Sequence, residues 1–383
     1  MSRLKIAIIT PGVYPIPGNK SSSVELVVQN TSNLLQKYVD VNIFGKKTKN
    51  QSFIERQGNI TYYRYHFNTK TYIKKIIEQL QQDKPDIIQI ENRPRFVKFI
   101  RQAIPNVKII LSLHSVTFIS PPYMKDEMLL YYLDQTNAIV VNSHFLRNHL
   151  IEKTNCNANK IFVNYLGVNT DQFKPKWQLD STAPLEIIKQ ELGVSNNKVL
   201  LYVGRLVEIK GVHYILEAMP ELIKADPTIR LIIAGSPREH KVYSEHLRNL
   251  AESVKDHVVF TSFIPNDKIH ELFQISDLLL VPSAQNEAFG LVNLEAMSTG
   301  IPVIATKSGG MPEIIDHGKT GLLIDPSNVS EELTKHIPDL LSNPEKLEQM
   351  GKESVLRVRN YFTWQHTVER LLKFYRNLIE EIK

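Results

Sequence analysis

Short apolar runs rich in Val and Ile, each closed by a Gly, Pro, Ser or Asn and followed by a stretch of helical spacing, recur along this chain. They lie at residues 5–10 and near 39–45, 60–67, 86–91, 108–114, 138–143 and 160–166, then at 198–204, 229–235, 258–264, 278–283, 302–306 and 321–325. A strand that is apolar on both faces must be covered on both. Helices between successive strands supply that cover, so the pattern predicts an α/β chain built on doubly wound, Rossmann-like parallel sheets. Helices near 328–341, 344–360 and 363–380 close the chain. Ligands of such sheets gather at the carboxyl ends of the strands, which directs attention to the residues just after each run.

At 383 residues the chain exceeds one ordinary core and fits two domains. A polar stretch with Pro175, Pro184 and no sustained period marks the connection. The expected division is 1–170, a linker over 171–198, a second domain over 199–362, and a final helix over 363–383.

Composition excludes several classes. Hydrophobic residues make up 42% of the chain, as in globular proteins, and no apolar run approaches the ~18 residues that cross a bilayer. No charged-then-apolar leader opens the sequence. Cys156 is the only cysteine, which excludes an intrachain disulfide and a cysteine-based metal site and suits a reducing, cytoplasmic setting. The net charge of +6 hides an asymmetry: residues 1–175 carry 23 Lys and Arg against 12 Asp and Glu, and the remainder 23 against 28. A basic half suits an anionic acceptor or peripheral contact with an anionic inner membrane face, or is simply a solvated surface. Without a Cys/His finger, a basic heptad region or an RNP-like strand, nucleic acid is not the expected partner.

The loop after the first run, from Pro11 through Gly12 and Gly18 to Lys20 and Ser21, is a near miss for a phosphate-binding P-loop. One residue too many separates its glycines, Asn19 precedes Lys20, and Pro15 and Pro17 lack the N–H donors of a phosphate cradle. Gly318-Lys319-Thr320 is a second decoy, because Glu313 stands where the first glycine belongs.

The most informative stretch begins at Val281-Pro282 and ends at Gly300. An apolar run opens into a polar loop holding Glu287, and a helix starts near Gly290 with Glu295 on its second turn. A strand feeding a helix through a glycine turn aims backbone N–H groups and the positive end of the helix dipole at one point, which suits a phosphate. Carboxylates beside such a site are suited to accept hydrogen bonds from hydroxyls, as on a ribose and a sugar. The alternative is a helix that only packs on its sheet, with Glu287 solvated.

This stretch resembles the E-x7-E signature of retaining glycosyltransferases of the GT-B fold, family 4 (glycosyl transferases group 1). Upstream, Gly204-Arg205-Leu206-Val207-Glu208-Ile209-Lys210-Gly211 is similar to that family's G-R-x-x-x-x-K-G diphosphate clamp. Downstream, 300–306 and Gly309-Gly310-Met311-Pro312-Glu313 follow its next strand, turn and short helix. Three matches in order over about 200–325 make a specific signal. The resemblance implies two Rossmann-like domains facing each other across a cleft, with acceptor binding in the first, nucleotide-sugar binding in the second, and the last helix returning onto the first.

By the same resemblance, Arg205 and Lys210 hold the leaving diphosphate with backbone N–H groups of Phe289, Gly290 and Leu291, Glu287 binds the donor sugar, and Glu295 the ribose hydroxyls. His114, after the strand 108–114, lies near the reacting sugar, although a histidine ending a strand is otherwise a structural one. Ser143 matches the family's V-x-x-S stretch. Gly18 stands in place of the adjacent glycines that the family's N-terminal loop usually carries, and Ser21 to Ser23 either offer hydroxyls or cap the following helix. Asp-x-Asp is absent, so no essential metal and no cofactor beyond the donor substrate is expected.

The function implied is transfer of a sugar from a UDP- or GDP-sugar to a glycan, glycolipid or small molecule in cell-surface or coat polysaccharide synthesis. A non-catalytic nucleotide-sugar-binding or surface-assembly protein, and another GT-B enzyme such as an epimerase or an inverting transferase, are the alternatives.

Overall fold

A computed structural model describes residues 3–18, 22–235, 241–261, 264–285 and 287–380, the side chains of 69, 70 and 241 excepted. The chain divides into two compact units, 1–166 with 364–383, and 167–363.

The strands of the first unit are β1 (Lys5–Ile9), β2 (Asp40–Lys46), β3 (Ile54–Gln57), β4 (Ile60–Tyr65), β5 (Ile87–Glu91), β6 (Lys108–Leu113), β7 (Ala138–Val141) and β8 (Ile161–Val163). They form one sheet in the order β3-β4-β2-β1-β5-β6-β7-β8, parallel except for β3. Central strands are buried on both faces because they carry almost nothing polar: Ile6, Ala7 and Ile9 of β1 are wholly inaccessible. β3, Ile-Glu-Arg-Gln, was not expected from the sequence. It is mostly exposed and held by antiparallel pairing with β4, and its charges suit an edge.

The helix Ser23–Leu35 and the last helix, Trp364–Glu380, share one core with this sheet. Val368, Leu371, Leu372, Tyr375 and Leu378 are the buried face of the last helix, each large apolar side chain contributing about 1.5–3 kcal/mol. Ser22 occupies the N-cap position of the first helix, but its hydroxyl bonds the Glu25 carboxylate rather than a backbone N–H.

The second unit holds β9 (Lys198–Val203), β10 (Ile229–Ala234), β11 (Val258–Thr261), β12 (Leu278–Val281), β13 (Val303–Thr306) and β14 (Gly321–Ile324). All pairings are parallel, in the order β11-β10-β9-β12-β13-β14. Its core includes the buried face of the helix Val212–Ala225 and the helix Val329–Leu341. The stretch expected to be only a connection, 171–198, carries the helix Ala183–Glu191, started by Pro184 in its first turn and showing only Leu185 to the interior. Among the described residues, no helix is long and apolar enough to cross a membrane.

Candidate functional site

In each sheet the strand order reverses at one point, and the loops leaving the strands there diverge to opposite faces and open a crevice. In the second unit that point lies between β9 and β12, the strands that feed the clamp loop and the Glu287 loop. Backbone bonds tie the loops together: Ala284 N–H donates to Ile209 O at 3.1 Å, and Gly310 N–H to Glu287 O at 2.8 Å. Gly211, at φ +71°, would place a Cβ 2.1 Å from Pro282 O, and Gly309, at φ +59°, would place one 2.1 Å from Glu287 O. Both positions therefore require glycine.

Within this frame Lys210 pairs with Glu287, their side chains 23% and 19% exposed. Arg205 lies five residues earlier in the same loop. The residue is exposed and makes no ion pair among the described residues, while its carbonyl accepts from the Tyr202 hydroxyl at 2.9 Å. The helix Leu291–Ser298 begins after Gly290, at φ +86° and with no side-chain cap. Asn293 N–H donates to Gly290 O at 3.0 Å, while the N–H groups of Leu291 and Val292 make no bond to a loop backbone among the described residues. Phe289 is buried beside the Phe362 ring.

Glu295, on the second turn, has no side-chain hydrogen bond among the described residues, and burial pushes its carboxyl up to about 7. Sequence reasoning did not single out Asn293. It is fully buried, its Nδ2 lies 2.9 Å from Met311 Sδ, and its Oδ1 has no partner among the described residues. A polar residue two positions before Glu295 inside an apolar helix was the available signal.

In the first unit the reversal falls between β1 and β5. Gly18 ends the described part of the loop after β1, and Lys20 and Ser21 lie outside the described residues. His114 follows β6. Its Nε2 is 2.7 Å from Glu91 Oε2 and its backbone N–H donates to Asn92 Oδ1 at 2.9 Å. Glu91 is another residue that sequence reasoning passed over. It ends an apolar run, and its alternation with Gln89 was the visible trace. Ser143 is a helix cap, its Oγ accepting from Leu146 N–H at 3.0 Å. Gly318-Lys319-Thr320 forms a turn, Thr320 bonded back to Asp316. The structure brings Arg205, Lys210, Glu287, Phe289, Gly290, Leu291 and Glu295 onto adjoining segments of one unit, and Gly18 and His114 onto loops of the other.

The model of glycosyl transferases group 1 matches residues 185–356, and that of glycosyltransferase family 4 matches 24–172. YtcC of Bacillus subtilis strain 168 is 30% identical over 380 residues, covering 98% of this chain and 93% of its own. Spore coat protein SA of the same organism is 29% identical over 376 residues, covering 97% and 99%. Among solved structures, Anabaena Alr3699/HepE in complex with UDP superposes with a TM-score of 0.81 at 20% identity, over 98% of this chain and all of that one.

Proposed function

The chain belongs to the glycosyl transferases of group 1, family 4, with the GT-B fold, and from that premise we propose that it moves a sugar, with retention at the anomeric carbon, from a UDP-sugar to a hydroxyl acceptor. The observation that carries the proposal is the Lys210–Glu287 pair at the point where the sheet reverses, on loops that adjoin the uncapped start of the helix carrying Glu295. As the bond to the sugar breaks, negative charge grows on the leaving diphosphate. Fixed donors aimed at that charge are the largest single lever on the rate. Arg205, with a planar fork, and Lys210, a compact ammonium, are suited to it, and the N–H groups of Phe289, Gly290 and Leu291 add their dipoles.

Lys210 is paired with Glu287, so a bound donor takes up both at once: phosphate oxygens accept from the ammonium, and Glu287 accepts from sugar hydroxyls. Glu295 accepts from the ribose. In the first unit His114 and Gly18 are assigned to the sugar and acceptor side. No covalent carboxylate nucleophile is assigned, and the absence of an Asp-x-Asp sequence supports turnover that survives EDTA. Uridine as the base is supported by the UDP complex of the Anabaena structure. Likeness to a spore coat protein supports an acceptor in coat or surface polysaccharide. The excess of Lys and Arg over residues 1–175 supports peripheral contact with anionic lipid.

The test is a screen of UDP- and GDP-sugars for release of the nucleotide, with the anomeric configuration of the product read by NMR. Arg205→Ala and Lys210→Ala should each lower kcat by about 10²–10³. Tight UDP binding without turnover on any acceptor would instead favour a nucleotide-sugar-binding assembly protein, and unchanged turnover in folded variants would remove both cations from the mechanism.

A further inference from the structure

The first unit contains a chain of hydrogen bonds around His114, outside the segments assigned to the nucleotide. Glu91, at the end of β5, is 1% exposed and has neither a lysine nor an arginine paired with it among the described residues. Its Oε1 accepts from Gln89 Nε2 at 2.6 Å and its Oε2 lies 2.7 Å from His114 Nε2. Gln89 Oε1 in turn accepts from the Tyr375 hydroxyl of the last helix at 2.6 Å. On the other side, Ser112 Oγ is 3.1 Å from the same His114 Nε2, and Asn142 Nδ2 donates to His114 O at 3.3 Å. A small cavity lies against Glu91, Ser112, His114 and Asn142.

With Glu91 ionised, both of its oxygens act as acceptors, so the Gln89 NH2 faces Glu91 and the Gln89 oxygen takes the Tyr375 hydroxyl. The imidazole then carries its hydrogen on Nε2, and Nδ1 is buried without a partner among the described residues. Burying a carboxylate is costly, and an apolar side chain would fill the space at less expense. What the carboxylate adds is a fixed ring orientation and a fixed tautomer.

We propose that Glu91 is a positioning residue for glycosyl transfer, holding His114 as a single Nε2–H tautomer with its ring aimed, while Gln89 and Tyr375 hold Glu91. The proposal rests on the glycosyltransferase reading of the site. A reacting group displaced by about 1 Å can cost about 10²-fold in rate, and that is the scale expected here.

The test uses the full chain labelled with 15N-histidine, the His114 signals being assigned by their loss in His114→Gln. Long-range NMR correlations report which ring nitrogen is protonated. In parallel, UDP release is measured with UDP-glucose and water as acceptor, and UDP affinity by calorimetry. Wild type should show Nε2–H. Glu91→Leu should lose that preference and release UDP about 10²-fold more slowly, with UDP affinity changed less than about threefold because the nucleotide residues lie in the other unit. Tyr375→Phe, a milder change that serves if Glu91→Leu does not fold, should lower kcat by about three- to tenfold with the same unchanged affinity. An Nδ1–H tautomer in wild type, or wild-type kcat in the folded variants, overturns the proposal. A wild-type chain that binds neither UDP nor GDP and releases neither from its sugar would instead overturn the glycosyltransferase reading, and this inference with it.

Discussion

At the residue scale, Glu295 makes a claim that pH can test. Burial raises its carboxyl from 4.5 to about 7. Between those values the unfolded chain has given up a proton that the folded chain retains. Its contribution to stability is therefore complete below pH 4.5 and lost as pH rises through 7. Gln mimics the protonated acid, so Glu295→Gln should match wild type near pH 4.5 and be more stable at pH 8 by on the order of 2–3 kcal/mol. Urea unfolding across that range without nucleotide measures this, and parallel pH profiles would show that the carboxyl ionises freely. UDP affinity should run the other way, rising with pH in wild type because the carboxylate is the better acceptor, and staying flat in the variant. The sequence placed Glu295 on the right helical turn by spacing alone. It did not reveal the desolvation that raises this carboxyl, nor the Glu91 partner of His114, which becomes a neighbour only when β5 and β6 pair.

At the scale of elements, the apolar runs were legible because a strand buried on both faces carries its own signature. β3 was not, because pairing rather than burial creates it. The loop-to-loop joints were equally invisible: Gly211 reads as the end of a motif, whereas the structure shows it pressed against Pro282 O from another strand's loop. Two glycines separate strain from contact. Gly193 has φ +66° and open space where a methyl group would sit, so Gly193→Ala should cost only the left-handed backbone penalty, about 1–2 kcal/mol. Gly211→Ala meets the same penalty and a Cβ 2.1 Å from a carbonyl oxygen, and should cost more than about 3 kcal/mol and weaken UDP binding. Equal losses in denaturant midpoint for the two would mean that the joint yields easily.

At the scale of the whole molecule, the charge asymmetry read from the sequence is partly internal. Arg64 is fully buried, donating to Ile16 O and Glu55, and Arg101 holds the carbonyls of Pro105, Val107 and Gln135. These cations secure loops and strand ends, a role that a charge count cannot distinguish from a surface patch. Flotation with anionic and neutral vesicles decides the membrane contact: binding to anionic vesicles alone, lost at high salt, is the expected result, and equal failure on both discards it. The proposed reaction requires first that the second unit hold the nucleotide, which the proposal assigns to Arg205, Lys210 and the start of the helix Leu291–Ser298. The most direct measurement is calorimetric titration of UDP into wild type and Lys210→Ala. Wild type should bind saturably, and Lys210→Ala at least about tenfold more weakly, the loss of one charge-assisted contact. No binding of UDP or GDP by wild type, or equal affinity in the folded variant, would contradict that assignment.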